Sequence, residues 1–415
     1  MNDTTRADKT TLTCRIAEIL LFLVALVSFT YALVTAPGKG IDVTFLQIGA
    51  REWVDGVYEI GAGSISLHPP FILPLLAPIA VLSHNSLVVL WLTLNVAATA
   101  LVLYFVDRLW AKRWPIDARI CLPAFFLAWA PFRVTLRNGQ LSLMVLALLL
   151  GALFARRRNR SFLAGALLGL SLCKYSLTFP FLLYFAWKRE WKVVSTAILI
   201  PAALTELFAW RLGLSLIDVV RQYVDAARKA YVSGSTIFEG TSEIKPLLLG
   251  LSGGNETVTT TLVVAISLAA LICMVLAFAH ARKFEIAHFS ALALFALWSV
   301  YHKTYDSVLC LLPAVLLIDL LVQRRFVFFS RFWLAGLGLL VISIPGLLID
   351  RLKIDPSVIS SNPLLLLGVH VERLLMFGMF CSLTYLMWKT ADVEDAGSSH
   401  CTTNSAVISS SSSGR

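Results

Sequence analysis

The chain has 415 residues, of which 58% are hydrophobic and only 14% charged, and its mean hydropathy is +0.79. This composition excludes a soluble globular domain, because apolar runs near 18 residues recur along the chain and each is long enough to cross a bilayer. A formal net charge of +10 would point a soluble protein toward nucleic acid. In a membrane protein it follows from basic cytoplasmic loops, so no nucleic-acid partner is expected and the fold class is an all-α, polytopic membrane helix bundle.

The first apolar run, "IAEILLFLVALVSFTYALV", has the length of a span. The "TAPGKG" after it loosely matches a cleavage site, but the run is long for a signal-peptide core. A retained first helix is therefore expected, with a cleaved leader as the alternative. Next comes a polar island, "GKGIDVTFLQIGAREWVDGVYEI", carrying Asp42, Glu52, Asp55 and Glu59. From Leu46, apolar residues recur at Ala50, Trp53, Val54 and Val57, while Gln47, Arg51 and Asp55 fall on another face. The spacing predicts an amphipathic helix lying on the outer membrane surface. Asp42 stands at or just before its start, behind Gly40, where an N-cap is the plainer reading and a catalytic carboxylate the sharper one. The stretch 69–83, "PPFILPLLAPIAVLS", carries four prolines and reads as a half-helix.

Spans are expected at 16–34, 86–106, 119–133, 140–155, 161–173, 176–187, 192–210, 257–279, 285–301, 306–322, 331–349 and 364–388, about twelve in all. Runs 161–173 and 176–187 are too short to cross alone. They read as broken helices whose ends are covered by protein. With the N-terminus in the cytoplasm, the basic clusters "DRLWAKRW", "ARRRNR", "WKREWK", "HARK" and "QRR" all fall on the inner side, as the positive-inside rule requires. Both termini are then cytoplasmic. The substantial outer segments are 35–85, 211–256 (with "LIDVVRQYVDAARKAYV" as a surface helix) and 350–363. Residues 1–390 form the membrane domain, and the tail 391–415, ending "SSSSSGR", is expected to be disordered. Asn255-Glu-Thr is a glycosylation sequon, a short and common pattern. The seven cysteines are scattered without a CxxC or Cys/His cluster and read as small apolar side chains.

Charged residues gather at helix ends on the outer side. Arg133 and Arg137 lie in "PFRVTLRNGQ", Lys174 in "LLGLSLCKYSLTFPFLLYF", and His302 and Lys303 in "WSVYHKTYD", with Asp306 one turn on. An ionisable group at such depth is costly, and so by default faces a functional cavity. Singly, Lys174 reads equally well as a snorkelling lysine and His302 as a hydrogen-bonded loop residue. Jointly, these cations suit an anionic lipid head group, with arginine as a forked phosphate ligand and lysine as a point charge.

At this point the chain resembles glycosyltransferase family 87, the polyprenyl-phosphate-sugar-dependent membrane enzymes of the GT-C type. The resemblance rests on Asp42, the surface helix, "DGVYEI", "HPPFILPLLAP" and "LWLTLNVAATALVL", and on the block "NGQLSLMVLALLLGALFARRRNRSFLAGALLGLSLCKYSLTFPFLLYFAWKREWK". These cover roughly residues 38–192, and the C-terminal half matches mainly in its pattern of spans and in the His302 loop. The resemblance implies a GT-C bundle with a long first extracytoplasmic loop, in a bacterial inner membrane with the active site facing the periplasm. It implies a polyprenyl-phosphate-linked sugar donor, with mannose as the best-known sugar, and a lipid or glycan acceptor. Asp42 matches the family's general base, and Asp55 is the second candidate. Arg137, Lys174, His302 and Lys303 are assigned to the donor phosphate, with His68 and Gln140 on the acceptor side. Where the family commonly has Tyr-Pro-Pro, this chain has His68-Pro69-Pro70, which changes the side chain offered to the acceptor. One displacement inverting the anomeric carbon needs a single base. No cofactor or obligatory metal is therefore expected, although Asp42 and Asp55 together offer a pair of ligands. The alternatives are a secondary transporter, which would show repeat-related halves, and a membrane scaffold, which would spread these charges apart.

Overall fold

The computed structural model describes residues 3–36, 40–60, 68–233, 243–281, 284–339 and 362–408. Among them all regular structure is helical. The segments 61–67, 234–242 and 340–361, and with them much of the expected span 331–349 and outer segment 350–363, lie outside the described residues. Helix α1 (Asp3–Thr35) is followed by α2 (Ile41–Asp55), α3 (Ile72–Leu76), α4 (His84–Leu109), α5 (Ile116–Ala128) and α6 (Ala130–Asn138). Then come α7 (Ser142–Arg157), α8 (Ser161–Ser171), α9 (Tyr175–Trp187), α10 (Trp191–Leu212), α11 (Leu216–Ser233) and α12 (Lys245–Leu251). The last are α13 (Glu256–His280), α14 (Glu285–Ser299), α15 (Leu311–Val322), α16 (Val327–Leu339), α17 (Pro363–Val369) and α18 (Val371–Ile408). Helix α18 runs from the last apolar stretch as far as Ile408.

Six helical runs among the described residues are long and apolar enough to cross a membrane, or seven if α5 and α6, bent by 53° at Trp129, make one span. This is fewer than the dozen expected, because several helices, α14 and α16 among them, are apolar but short. The run Ser161–Trp187 has the length of a span, yet its two ends lie together. Arg156, at the end of α7, pairs with Glu190, just past α9, at 2.9 Å. Helices α8 and α9 therefore leave one end of the bundle and return to it, turning at a 3-10 segment, Leu172–Lys174. The two short helices of the sequence reading are such a hairpin, with Lys174 at its tip.

Ion pairs tie the loops at that first end. Arg156 also reaches Glu285 at 3.3 Å, Arg157 pairs with Glu285 and donates to the Leu109 carbonyl at 2.8 Å, and the Trp114 indole donates to Asp319 at 2.8 Å. The basic loops thus share one end, as their charge pattern predicts. Helix α7 fixes the depth of the bundle. Its 16 residues carry the chain roughly 24 Å at 1.5 Å per residue, from the basic end to Ser142 at the opposite, ionic end.

Small residues set the packing that holds the hairpin. A Cβ on Gly165 would lie 2.6 Å from the Val193 carbonyl oxygen, and one on Gly169 would lie 2.8 Å from that of Ala197. Helix α8 therefore lies backbone to backbone against α10, the mode of association favoured where lipid gives no hydrophobic drive. Replacing Gly169 with leucine is expected to force α8 off α10, with overpacking costing about 1–3 kcal/mol. The check is thermal unfolding in detergent, where a midpoint equal to wild type would contradict this packing.

Candidate active site

The polar island begins as expected, with one correction. The N-cap of α2 is Gly40, and no side chain caps the helix. Asp42 lies inside the first turn, so the N-cap reading does not hold and its carboxylate is turned to other work. Helix α2 buries Val43, Leu46, Ala50 and Trp53. Gln47 and Arg51, expected on a polar outer face, instead donate to carbonyls of the proline-rich turn: Gln47 to Ile79 at 2.9 Å and Leu82 at 2.8 Å, and Arg51 to Ala80 at 3.0 Å. That turn is a five-residue helix followed by a 3-10 turn, the predicted half-helix. Its carbonyls lack full helical partners, which is why they accept these bonds.

The Asn138-Gly139-Gln140 turn brings a second segment to Asp42. Gly139 ends α6 with φ +68, a conformation that favours glycine. A Cβ there would lie 2.9 Å from Val43 Cγ1, so the turn sits directly against the residue following Asp42. The next side chain, buried Gln140, hydrogen-bonds Asp42 and also Tyr305. Burial pushes the Asp42 carboxyl above its ordinary value. The Gln140 hydrogen bond and the charges of Lys174 and Lys303 pull the other way, while Asp306 adds to the rise.

Asp306 is the hub of the ionic end. Its Oδ1 accepts from Lys174 Nζ at 2.6 Å and from Ser142 Oγ at 2.5 Å, and its Oδ2 lies 3.1 Å from His302 Nδ1. Lys174 Nζ also lies 2.9 Å from Ser142 Oγ and 4.7 Å from the Tyr305 ring centre. The Lys174 and Asp306 side chains are only 10% and 6% exposed. His302 is buried, and its Nε2 has no hydrogen-bond partner. Lys303, one residue on, is exposed. His68 hydrogen-bonds the backbone of Cys173, and burial together with Lys174 holds its ring down to about 4. It is therefore neutral at pH 7, an uncharged polar group beside the lysine.

An apolar groove of about 530 Å³ opens next to this cluster. Tyr175 and Ser176, following Lys174, and Ser299 and Val300, preceding His302, line one end. Trp187 and Phe278 line the other.

Against this geometry the remaining candidates separate. Asp55 is the last residue of α2 and exposed, thirteen positions from Asp42 and so about 20 Å away along the helix axis. It does not share the site, and the two carboxylates cannot hold one ion between them. Among the described residues no group of three His, Cys, Asp or Glu side chains is placed to hold a metal. Arg137 lies on the far face of α6, its guanidinium 5.7 Å from the Tyr31 ring centre. Asn255 of the sequon caps α13, its side chain accepting from Val258 N at 3.1 Å. Sequence reasoning missed Asp306 as the hub and Ser142 and Tyr305 as its companions. The one local signal was a carboxylate four residues after His302 at the head of a long apolar run.

A sequence profile of glycosyltransferase family 87 matches residues 67–301, more than half of the chain. The chain belongs to glycosyltransferase family 87. Two relatives are described as polyprenol-phosphate-mannose-dependent alpha-(1-2)-phosphatidylinositol mannoside mannosyltransferases. The one from Mycobacterium tuberculosis is 31% identical over 231 residues, covering 48% of this chain and 52% of that protein. The one from Mycolicibacterium smegmatis is 26% identical over 242 residues, covering 52% and 53%. The chain thus spans about half the length of the curated relatives it matches. Among solved structures, apo ArnT from Cupriavidus metallidurans aligns with 91% of this chain and 78% of its own, at 13% identity and a TM-score of 0.40. The family match includes His68, Gln140, Lys174 and the end of α14, and it stops one residue before His302.

Removing the hub's charge tests the geometry. Breaking a buried ion pair costs about 3–5 kcal/mol, because the partner charge is left uncompensated. Asp306→Ala is therefore expected to destabilise strongly, and Lys174→Met in the same chain to restore part of the loss. Denaturant unfolding in detergent checks this, and a double variant no more stable than Asp306→Ala would contradict it.

Proposed function

We propose that this family 87 member is a membrane glycosyltransferase that moves a sugar, mannose in the first instance, from a polyprenyl-phosphate donor to a lipid or glycan acceptor. One observation carries the reading. A half-buried carboxylate, Asp42, shares a cluster with two lysines and a histidine at the mouth of an apolar groove. The relatives' descriptions supply the donor class.

The chemistry follows from the placement. The donor's anomeric carbon is bound to a phosphate oxygen, and its polyprenyl tail lies in the groove between α9, α13 and α14. Asp42 accepts the proton of the acceptor hydroxyl as that oxygen attacks the anomeric carbon from the face opposite the phosphate. The new glycosidic bond forms as the carbon–oxygen bond to phosphate breaks. The electron pair leaves with the polyprenyl phosphate, and the anomeric centre inverts. Charge builds on the departing phosphate, where fixed cations lower the barrier because they act more strongly on the transition state than on the substrate. Lys303 and Lys174 supply charge. His302 meets the phosphate through its Nε2, while its Nδ1 stays on Asp306. Gln140 orients the base, and neutral His68 offers the acceptor an uncharged polar contact in place of the family's tyrosine.

The reading places the chain in a bacterial inner membrane, with both termini cytoplasmic and the reaction at the periplasmic face. Its support is that the basic loops gather at the end opposite Asp42. Residues 1–390 are the catalytic unit and 391–415 a tail outside it. The transporter alternative calls for ionisable groups near the midplane of two related halves, whereas these charges gather at one end.

The test is sugar transfer in membranes, using radiolabelled polyprenyl-phosphate-mannose and native lipid extract. Loss of a general base removes about 10²–10⁴-fold in rate, so Asp42→Asn is expected to fall by at least about 100-fold, while Asp55→Asn keeps near wild-type transfer. Folded Asp42→Asn with wild-type transfer would sink the assignment. The pH profile gives a second check. The ionised carboxylate is the active form, so kcat/KM is lost as pH falls through the Asp42 pKa. Because burial raises that pKa, the acid limb is expected above the ordinary aspartate value of about 3.9.

A further inference from the structure

Two helices at the ionic end are amphipathic, and they use their apolar residues differently. Helix α2 buries its apolar face in the bundle and bonds Gln47 and Arg51 to the proline-rich turn. Helix α11 packs only part of its own. Val219 and Ala226 are buried, and Tyr223 meets Tyr175 edge-on with ring centres 6.3 Å apart. Those three positions form one stripe along the helix. Tyr175 follows Lys174 at the hairpin tip and lines the end of the groove nearest the charges, so α11 lies across the ionic end.

Next to that stripe the apolar surface continues into the open. Val220 and Val224 are more than half exposed, and Ile217 is 72% exposed. The polar residues beyond them are ordered round the helix. Arg228 and Arg221 border the exposed apolar sector, Asp225 and Asp218 come next, and all four are exposed. A helix lying in a bilayer surface has this order, with apolar residues in the acyl boundary, arginines at the level of the phosphates and acids toward water. In water alone, three β-branched side chains would stay hydrated at a cost.

The lipid-facing surface of α10 leads to the same placement. Exposed indoles mark membrane–water interfaces, and α10 carries one near each end, Trp191 and Trp210, both largely exposed. From Trp191 to Trp210 the helix rises about 29 Å at 1.5 Å per residue, close to the thickness of a bilayer's hydrocarbon core. Exposed Ile198, Leu199 and Leu207 lie between them. Helix α11 starts just beyond Trp210 and the Gly213 turn, at the level of that interface.

We propose that α11 is an interfacial helix that docks on the leaflet at the ionic end, with its exposed apolar sector in the acyl boundary and Arg221 and Arg228 on the phosphates of anionic phospholipids. The partner is the bilayer's own surface, neither donor nor acceptor, and the inference stands whether or not sugar is transferred. Arginine suits the contact because its planar fork matches a phosphate. Docked in this way, α11 holds Tyr223 against Tyr175 and walls that end of the groove from water.

The test uses the full chain in nanodiscs of mixed phosphatidylcholine and phosphatidylglycerol. A benzophenone amino acid replaces Val224 or, one residue on, Asp225, and the discs are illuminated. Mass spectrometry is expected to find phospholipid adducts from position 224 and few from 225. Adducts absent at 224, or as frequent at 225, would overturn the docking. The charge of the partner is read separately, by native mass spectrometry of the chain titrated with each lipid. Phosphatidylglycerol is expected to bind more tightly than phosphatidylcholine. Arg221→Gln and Arg228→Gln are each expected to weaken it roughly fivefold, the worth of one basic residue at an anionic surface, whereas Asp225→Asn does not weaken it. Equal affinity for the two lipids, or arginine variants that bind phosphatidylglycerol like wild type, would overturn the contact with anionic phosphates. The photocrosslinks keep both arginines in place, so they decide the docking even if an arginine variant fails to fold.

Discussion

An ammonium group carried away from water into an apolar bundle must take a counter-ion with it. Here that pairing is Lys174 with Asp306, and the ionic end is organised around it. Lys174 stands at the tip of the α8–α9 hairpin, and Asp306 in the 3-10 segment leading into α15. Ser142 begins α7, and His302 lies in the connection after α14. One carboxylate thus holds together four segments spread over more than 160 positions of the chain. The pair also limits what Lys174 can do. Its charge is already partly answered, so it contributes a steady field at Asp42 more than a free ligand, and the open contacts fall to His302 Nε2 and exposed Lys303.

Much of this was legible in the sequence because it depends on local rules. The helix after the first span followed from apolar spacing, the half-helix from four prolines, the broken pair from two short apolar runs, and the shared end of the basic loops from charge. The Asn-Gly-Gln turn carried its own explanation, since glycine ends α6 and lets the backbone touch Val43. Other features depend on contacts that no local pattern encodes. Asp306 became the hub because two helices bring Ser142 and Lys174 to it, and a single carboxylate beside an apolar run does not announce partners 132 and 164 positions away. Arg137 was grouped with Lys174 because both are cations at helix ends. The face of α6 on which it lies is decided by α1 packing against that helix, a tertiary fact. Asp55 shared the polar island with Asp42 in sequence, but a helix carries its two ends apart.

The two ends of the bundle do different work. At the basic end Arg156, Arg157, Glu190 and Glu285 make an ion-pair network that ties the loops between helices. At the other end, among the described residues, the Lys174–Asp306 pair is more deeply buried than these, and the Nε2 of His302 has no partner in the protein. The sum of these placements is a charged, buried cluster beside an apolar groove, suited to substrates whose reactive groups are polar and whose anchors are not.

The most direct test is a cryo-electron microscopy map of the full chain with polyprenyl phosphate bound. The account predicts the phosphate within hydrogen-bond reach of His302 Nε2, with Lys303 and Lys174 around it and the tail in the groove between α9, α13 and α14, leaving Asp42 free beside it. A phosphate held by Arg156 and Arg157 at the basic end, or a tail lying outside that groove, would contradict it.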